Sequence, residues 1–322
     1  MIFLKHAPKH PIAEFVEYLW LLSDSPPHAQ ERILPTGTLE LVINLCEDEI
    51  GIYDDAGVRQ RHSGTLVSGA YSRPFTIDTT AHALIMGVHF RPGGAAPFTR
   101  IAPSELADHH ADASLLWGSR ATQLRELLCC AGTHADRFQI LESALLAWAT
   151  EGRWRRSVVQ FALQQLAEGT ASVRAIVAST GLSHRHFASL FRDEVGMTPK
   201  LFARVRRFQR TIAAAREGAL PNWAALSSEC GYYDQSHLIR DFAAFARTTP
   251  AEYLRQAPDR AKDHHLVLGG GPSELRSILS NTAPRAVAMS PTAKASAGDI
   301  QRSAVGVCSL RAVASLNETE AP

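Results

Sequence analysis

The 322-residue chain is long enough for two ordinary domains, each with a core of its own. Hydrophobic residues make up 45% of it and charged residues 20%, a balance typical of soluble globular proteins. The formal net charge is only +1, but residues 1–150 carry 11 basic and 17 acidic side chains, whereas residues 154–256 carry 14 basic and 8 acidic ones. An acidic half followed by an arginine-rich half indicates two domains with different partners, the second suited to a polyanion.

The cysteines and the N-terminus indicate a cytoplasmic location. The five cysteines are an odd number and contain no C-x-x-C pair, so reduced thiols are the simplest interpretation. The N-terminus lacks a basic region followed by an apolar stretch, and we therefore expect no signal peptide. The apolar run from Phe15 to Leu22 is too short to span a bilayer and is interrupted by Glu17. We expect a cytoplasmic protein with no membrane partner.

Residues 1–150 are predicted to form a β-rich domain with helices. Short apolar segments at 39–45, 65–68 and 83–90 have the length and composition of strands and are separated by glycine- and proline-rich turns. Strands at this spacing indicate a small barrel or sandwich. From about Pro103 to Ala149, leucines recur at helical spacing, which predicts helices there.

The remainder of the chain divides into a helical region and a tail. Glu151-Gly152-Arg153 is a plausible hinge, and the basic stretch 154–256 has the periodicity of an all-α domain. Residues 257–322 are rich in Ala, Ser, Gly and Pro and contain no aromatic residue, which predicts a disordered tail with a short helix near 274–279. The predicted fold class is α+β, with the β-rich part first.

The basic region contains an internal repeat of about fifty residues. Gly181 and Gly231 lie 50 residues apart, and Pro199 and Pro250 lie 51 apart because the second copy has one extra residue in its turn. Each copy has the pattern helix, glycine turn, helix. This is the helix-turn-helix unit, whose second helix enters the major groove of DNA.

The repeat also predicts which side chains of each second helix face DNA. Ser183 and Asp234 are expected to cap the two helices, and phenylalanines such as Phe187 and Phe242 mark the buried stripe. The outward positions carry side chains that hydrogen-bond base edges or contact a thymine methyl. They are His184, Arg185, Ser189 and Arg192 in the first unit, and Gln235, Ser236, Ile239 and Arg240 in the second.

A run of helix-forming residues, 199–216, joins the two units. As one helix it would be about 27 Å long, against about 34 Å between successive major grooves on one face of DNA. We therefore expect the helix to hold both recognition helices on one face, with a slight bend in the DNA. Arg204, Arg206, Arg207 and Arg210 on this helix are predicted to steer toward phosphates.

Residues 154–256 resemble the DNA-binding domain of the AraC/XylS family of bacterial transcription regulators. The resemblance is carried by G-[LY], [HF]-[FL]-x-x-x-F and T-P in each copy, and it implies base contacts by Arg185, Ser189, Gln235, Ser236 and Arg240. Three positions depart from the family pattern: Val177 and Ser227 replace small alanines, and Arg247 replaces a glycine. Segments 33–42 and 87–95 resemble the cupin-like sensor domain of some members, which implies a cupin-like barrel that senses a small molecule or dimerises.

Several histidines, one glutamate and one arginine could instead belong to a metal site or a ligand pocket. We expect His186 and His237 to be structural and the pairs His109-His110 and His264-His265 to lie on the surface. His62, His82 and His89 lack the spacing of a cupin metal site, so no metal or other cofactor is predicted. Glu40 and Arg91 are candidates for a ligand pocket, although structural polar residues near strand ends fit them equally well.

The sequence therefore predicts a sequence-specific DNA-binding transcription regulator that is not an enzyme, because no catalytic motif occurs in it. Its expected partners are double-stranded promoter or operator DNA, a small-molecule effector and RNA polymerase, with a monomer or homodimer as the functional state. Two alternatives stay open. In one, the cupin-like domain binds a metal or has enzymatic activity; in the other, it serves only for dimerisation.

Overall fold

The structure is a computed structural model that describes residues 2–23, 30–80, 82–149, 157–217, 221–256 and 264–268. The strands of these residues form two antiparallel sheets, with orders β1-β2-β9-β4-β7-β10 and β11-β3-β8-β5-β6; all of them belong to the N-terminal part except β11, which follows the helices. The strands are β1 (Ile2–His6), β2 (Val16–Ser23), β3 (Gln30–Ile33), β4 (Glu40–Asn44), β5 (Glu49–Tyr53), β6 (Arg59–Ser63), β7 (Thr65–Ser68), β8 (Phe75–Asp78), β9 (Leu84–Phe90), β10 (His110–Asp112) and β11 (His265–Leu268). A sheet-rich part followed by a helical part confirms the α+β class.

The strands β4, β7 and β9 coincide with the three segments that the sequence predicts. β9 lies in the middle of the larger sheet, between β2 and β4, so most of its side chains are buried on both faces. Gly87 is required there, because a Cβ atom would lie 2.3 Å from the carbonyl oxygen of Leu41 and 2.6 Å from the Trp20 ring. The close approach of Trp20 to the sheet backbone therefore depends on a residue without a side chain.

Three helices follow the sheets: α1 (Ala113–Trp117), α2 (Ser119–Cys130) and α3 (His134–Trp148). The side chain of Thr133 accepts a hydrogen bond from the Asp136 amide, and Asp136 accepts one from Thr133, which closes a capping box at the start of α3. The helical prediction from residue 103 is wrong at 110–112. That segment forms β10, because it completes the backbone hydrogen bonding of β7 at the sheet edge.

Within the described residues from 157 to 256, the C-terminal part has seven helices: α4 (Ser157–Glu168), α5 (Val173–Thr180), α6 (His184–Val195), α7 (Pro199–Arg216), α8 (Trp223–Glu229), α9 (Gln235–Ala246) and α10 (Pro250–Gln256). The long helix α7 has the bounds that the sequence predicts. One continuous set of buried hydrophobic side chains runs from the sheets into these helices, so the two parts share a core.

β11 lies inside the interval that the sequence predicts to be an unstructured tail. It pairs with β3 along four residues, and Leu266 is fully buried. The prediction is wrong for this strand because a four-residue apolar segment is hidden by the polar and small residues around it. The predicted hinge at 151–153 and the helix near 274–279 lie outside the described residues, so the predicted domain boundaries stay predictions.

Candidate DNA interface and effector cavity

Side-chain caps define the start of each helix in the two helix-turn-helix units. Ser183 accepts a hydrogen bond from the His186 amide at 3.3 Å, and Asp234 accepts one from the His237 amide at 2.7 Å. The turns that precede them contain Gly181 and Gly231, both in the left-handed region at φ 69° and 80°. Glycine adopts this conformation at little cost, so α5 and α8 end there and the chain turns sharply into α6 and α9.

Both recognition helices pack their aromatic stripes onto α7. Phe191 of α6 contacts Phe202 edge-on with 5.6 Å between ring centroids, and Phe242 of α9 contacts Phe208 at 5.1 Å. All four rings are fully buried. Edge-to-face aromatic packing of this kind fixes helix orientation as well as burying area, so α7 positions both recognition helices.

The residues predicted to read DNA lie on the faces of α6 and α9 that point away from their buried aromatic stripes. The exposed set is His184, Arg185, Ser189 and Arg192 on α6 and Gln235, Ser236, Ile239 and Arg240 on α9. Within the described part of the chain, no ion pair engages Arg185, Arg192 or Arg240. The two helices thus present hydrogen-bonding side chains that the fold itself does not use.

The arginines of α7 are used by the fold. Arg204 and Arg207 donate hydrogen bonds to Asp241 of α9, at 2.7 Å and 3.2 Å, and Asp241 is fully buried. Arg206 is largely buried, and this burial lowers its pKa from the usual value; Arg210 donates to the carbonyl of Ala167. The predicted phosphate-steering role is therefore wrong for these side chains, because their guanidinium groups are committed to internal acceptors.

The two histidines of the repeat differ. His237 contacts Arg207 at 3.1 Å and lies edge-on to the Tyr232 ring, so the structural role predicted for it is confirmed. His186 is exposed, and the same prediction is wrong for it. The reason lies in the neighbours, since each histidine directly precedes a buried residue: Arg207 and Tyr232 lie against His237, whereas His186 is exposed on α6.

The strand β3 and the loop that follows it in the N-terminal part contact the DNA-binding helices. Gln209 on α7 donates to the Pro35 carbonyl at 2.5 Å, and Arg32 on β3 donates to the Ala246 carbonyl at the end of α9 at 3.0 Å. Gly37 has φ 82°, and a Cβ atom there would lie 3.2 Å from the Phe202 ring. The segment that resembles a sensor motif in sequence is therefore a contact surface for α7.

A cavity of about 840 Å³, including its open mouth, lies between the two sheets. Most of its walls are aliphatic or aromatic, and its polar lining includes Glu31, Glu40, Ser68, Thr79, His82, His110, His264 and His265. Glu40 is thus placed where the sequence suggests a ligand pocket, whereas Arg91 donates to the Ala13 carbonyl outside it. His110, His264 and His265 are cavity residues, so the prediction of surface pairs is wrong for them. β10 carries His110 inward, and β11 carries His265, with His264 directly before it.

His110 is held neutral inside this cavity. Burial, followed by the nearby His62 and His109, lowers the pKa of His110 to about 3. Both of its ring nitrogens are buried and make no hydrogen bond within the described part of the chain.

Among the residues that the structure describes, no group of three or more His, Cys, Asp or Glu side chains is arranged to hold a metal ion. No described helix is long and apolar enough to cross a membrane.

Sequence comparison decides the class of the helical part. Residues 176–256 match a family profile described as a helix-turn-helix domain. The chain carries an AraC-type helix-turn-helix domain. It is therefore a DNA-binding transcription regulator. Residues 4–112 match a second profile, described as a domain of unknown function (DUF6597). No curated relative matches the sequence significantly.

The solved structures that resemble the chain include several of ToxT from Vibrio cholerae. One is 8% identical with a TM-score of 0.41 and covers 79% of this chain and 98% of its own. A second, bound to (E)-4-(8-methylnaphthalen-1-yl)but-3-enoic acid, has the same identity and coverage and a TM-score of 0.42. A third, bound to an unsaturated fatty acid, is 8% identical with a TM-score of 0.39 and covers 78% and 94%. These scores are too low to support an argument about this chain.

The AraC-type domain accommodates its three departures from the family pattern locally. Val177 is buried between helices, and the buried hydroxyl of Ser227 donates to the Ala224 carbonyl at 2.8 Å. Arg247 ends α9 at φ 52°, the left-handed conformation that glycine usually supplies. Its guanidinium lies 3.2 Å from Asp55 of the N-terminal part. The substitution therefore exchanges an unstrained cap for a contact between the two parts.

One exposed residue of the AraC-type domain escaped the sequence analysis. Tyr233 is 93% exposed and directly precedes Asp234, the cap of α9. The extra residue in the second turn could have predicted the exposure of Tyr233, because this insertion places an aromatic ring at the start of a recognition helix. Tyr232, its neighbour, is buried, and burial is the main cause that raises the pKa of Tyr232 to about 12.

Proposed function

We propose that α6 and α9 of this regulator enter successive major grooves of promoter DNA, while the cavity between the sheets binds a small-molecule effector. The observation that carries the proposal is the contrast between two sets of arginines. Those on α7 are bound to internal acceptors, whereas Arg185, Arg192 and Arg240 are exposed and have no ion pair in the described structure. A charged side chain that contributes nothing to the fold is available to a partner.

The residue types suit direct reading of bases. Arginine forms paired hydrogen bonds with guanine and glutamine with adenine, serine bonds to either, and isoleucine contacts a thymine methyl. Arg185 and Ser189 are assigned to one half-site, and Gln235, Ser236 and Arg240 to the other. Tyr233, at the start of α9, is assigned to the sugar-phosphate backbone beside the second half-site, where aromatic hydroxyls commonly bind.

The length of α7 predicts how the half-sites are arranged. Its 18 residues span about 27 Å, less than the roughly 34 Å between successive major grooves. Both recognition helices pack on this one helix, so we infer half-sites about one helical turn apart and a modest bend of the DNA toward the protein.

The effector role of the N-terminal part rests on the cavity and on its connections to the DNA-binding helices. β3 supplies Glu31 to the cavity and Arg32 to the end of α9. A change in the position of β3 on ligand binding would therefore act directly on a recognition helix. The proposal assigns no catalytic step to the chain; RNA polymerase as a partner, a monomer or homodimer as the functional state and a cytoplasmic location stay predictions.

Selection of bound fragments from genomic DNA tests the proposal. Purified chain should enrich fragments that share a motif of two short half-sites about 10 base pairs apart, with a much lower affinity for other DNA at the same salt concentration. If every fragment bound with one affinity and one salt dependence, the binding would be only electrostatic, and the proposed reading of sequence would be overturned.

A further inference from the structure

The charge of the cavity is one-sided. Two carboxylates, Glu31 and Glu40, belong to its lining, and among the residues that the structure describes the lining contains no lysine or arginine. Glu31 already faces a partner, because the Nδ1 atom of His265 lies 2.5 Å from its Oε2 atom. His110 adds no positive charge, since it is neutral at physiological pH. Of the two carboxylates, Glu40 has the more distant histidine neighbour, with Nδ1 of His89 3.6 Å from its Oε1 atom.

Glu40 has one oxygen engaged and one available. Its Oε1 atom accepts a hydrogen bond from the indole nitrogen of Trp20 at 2.7 Å and lies 3.6 Å from Nδ1 of His89. No hydrogen bond to its Oε2 atom occurs within the described ranges. A partly buried carboxylate oxygen without a donor favours a ligand that brings one, and a cationic donor most of all.

The wall beside Glu40 is aromatic. Phe3, Tyr18 and Trp20 lie on β1 and β2 and line the same cavity. The Tyr18 ring already has two neighbours, because the His89 ring stacks on it at 4.8 Å and Nζ of Lys5 lies 4.5 Å from its centroid; the same ammonium group lies 5.7 Å from the centroid of Phe3. Lys5 is exposed and forms no ion pair with Glu40 in the described structure. Aromatic faces next to a carboxylate are the chemistry that recognises organic cations.

We propose that the cavity binds an organic ammonium ion with an apolar body, with its nitrogen against Glu40 and its body between the two sheets. This deepens the proposed function, since it gives the chemical class of the effector at the same site. The strand β11, which follows the AraC-type domain in sequence, supplies His265 to the wall of the site, and His264 directly before the strand also lines it. The ligand therefore touches a segment continuous with the DNA-binding helices.

Isothermal titration of the full chain with three matched probes tests the assignment. Octylammonium, octanol and octanoate share one apolar body and differ in the charge of the polar group. Octylammonium should bind at least tenfold more tightly than either of the others. Tighter binding of octanoate would overturn the proposal and would assign the polar end to a cation such as Lys5.

Three variants locate the charge. Glu40→Gln keeps an acceptor for Trp20 but removes the negative charge, so it should weaken octylammonium at least tenfold and leave octanol unchanged. Glu126→Gln is the matched control, because Glu126 is exposed on α2 and lies outside the lining; it should change neither. Lys5→Ala removes the competing ammonium and should strengthen octylammonium binding or leave it equal. An octylammonium affinity unaffected by Glu40→Gln would overturn the proposal, with circular dichroism showing that the variant is folded.

The outcome is independent of the DNA experiment. If the chain selects a DNA motif and octylammonium does not bind, the ligand class is wrong and the regulator stands. If octylammonium binds through Glu40 and no DNA motif is selected, the proposed reading of sequence is wrong and the cavity assignment stands.

Discussion

Arg207 and Asp241 join the linking helix to a recognition helix, with Nη2 of Arg207 3.2 Å from Oδ2 of Asp241. The carboxylate is fully buried, and Arg204 donates to its other oxygen. Both oxygens of Asp241 are thus satisfied by arginines of α7, which explains how an acidic residue is tolerated within the buried face of α9. The ion pair fixes the rotation of α9 about its axis, and with it the direction of Gln235 and Arg240.

Replacing Asp241 by Asn should destabilise the chain strongly. Removing one partner of a buried ion pair costs roughly 3–5 kcal/mol, and because Arg204 and Arg207 keep some contact with solvent we expect about 3 kcal/mol. Urea unfolding measures the change. Asp48→Asn is the control, since Asp48 is almost fully exposed beside Arg125, and it should cost less than about 1 kcal/mol. Equal costs for the two variants would contradict the structural role of Asp241.

Arg247 offers a test of stored backbone strain. A non-glycine residue in the left-handed conformation costs of order 1–3 kcal/mol, whereas its exposed ion pair with Asp55 contributes about 0–1 kcal/mol. Arg247→Gly should therefore raise the free energy of unfolding. Arg247→Ala loses the ion pair and keeps the strain, so it should be neutral or slightly destabilising. If Gly and Ala variants had the same melting temperature, strain at this cap would be excluded.

The low pKa of His110 predicts a dependence of stability on pH. Its folded pKa of about 3 lies below the unfolded value near 6.5, so the unfolded chain binds the extra proton between these values. The stabilisation of the neutral form is complete above pH 6.5 and falls as the pH is lowered toward 3. Between pH 7 and 5 we expect this residue to account for a loss of about 2 kcal/mol.

His110→Phe isolates this contribution, because phenylalanine does not titrate and suits the neighbouring rings of Tyr71 and Phe75. The loss of unfolding free energy between pH 7 and 5 should be smaller in the variant by that amount. An unchanged pH profile would show that His110 titrates normally in the folded chain.

The docking of β11 is tested by shortening its buried side chain. Leu266 is fully buried against the sheets, and a Leu→Ala change in a core costs roughly 2–5 kcal/mol. We expect Leu266→Ala to increase amide hydrogen exchange in 30–33, the strand that β11 covers. Leu268→Ala serves as the control because Leu268 is only partly buried. Equal exchange in both variants would show that β11 does not protect β3.

Local signals made much of the AraC-type domain predictable. Ser183, Asp234 and Pro199 determine helix starts through their immediate neighbours, so the bounds of α6, α7 and α9 can be inferred from sequence alone. The exposed faces follow from helical periodicity for the same reason.

The partners of side chains over long sequence distances could not be predicted. Asp241 meets Arg204 and Arg207 only after α7 and α9 have packed, and periodicity gives no indication of that contact. β11 and β10 are strands because a sheet edge is available to them, not because of their own composition. The inward positions of His110 and His265 follow from those pairings, and this is why the cavity emerges only from the structure.

The central claim is that exposed side chains on α6 and α9 read DNA sequence. It is tested most directly by measuring the affinities of Arg185→Ala and Arg240→Ala chains for the selected site and for single-base variants of it. Loss of a paired contact should cost about 1–3 kcal/mol at one base pair in each half-site and abolish discrimination there. Arg100→Ala, an exposed position in the N-terminal part, should leave the profile unchanged. Folded Arg185→Ala and Arg240→Ala chains that discriminate among bases as the unmodified chain does would contradict the account.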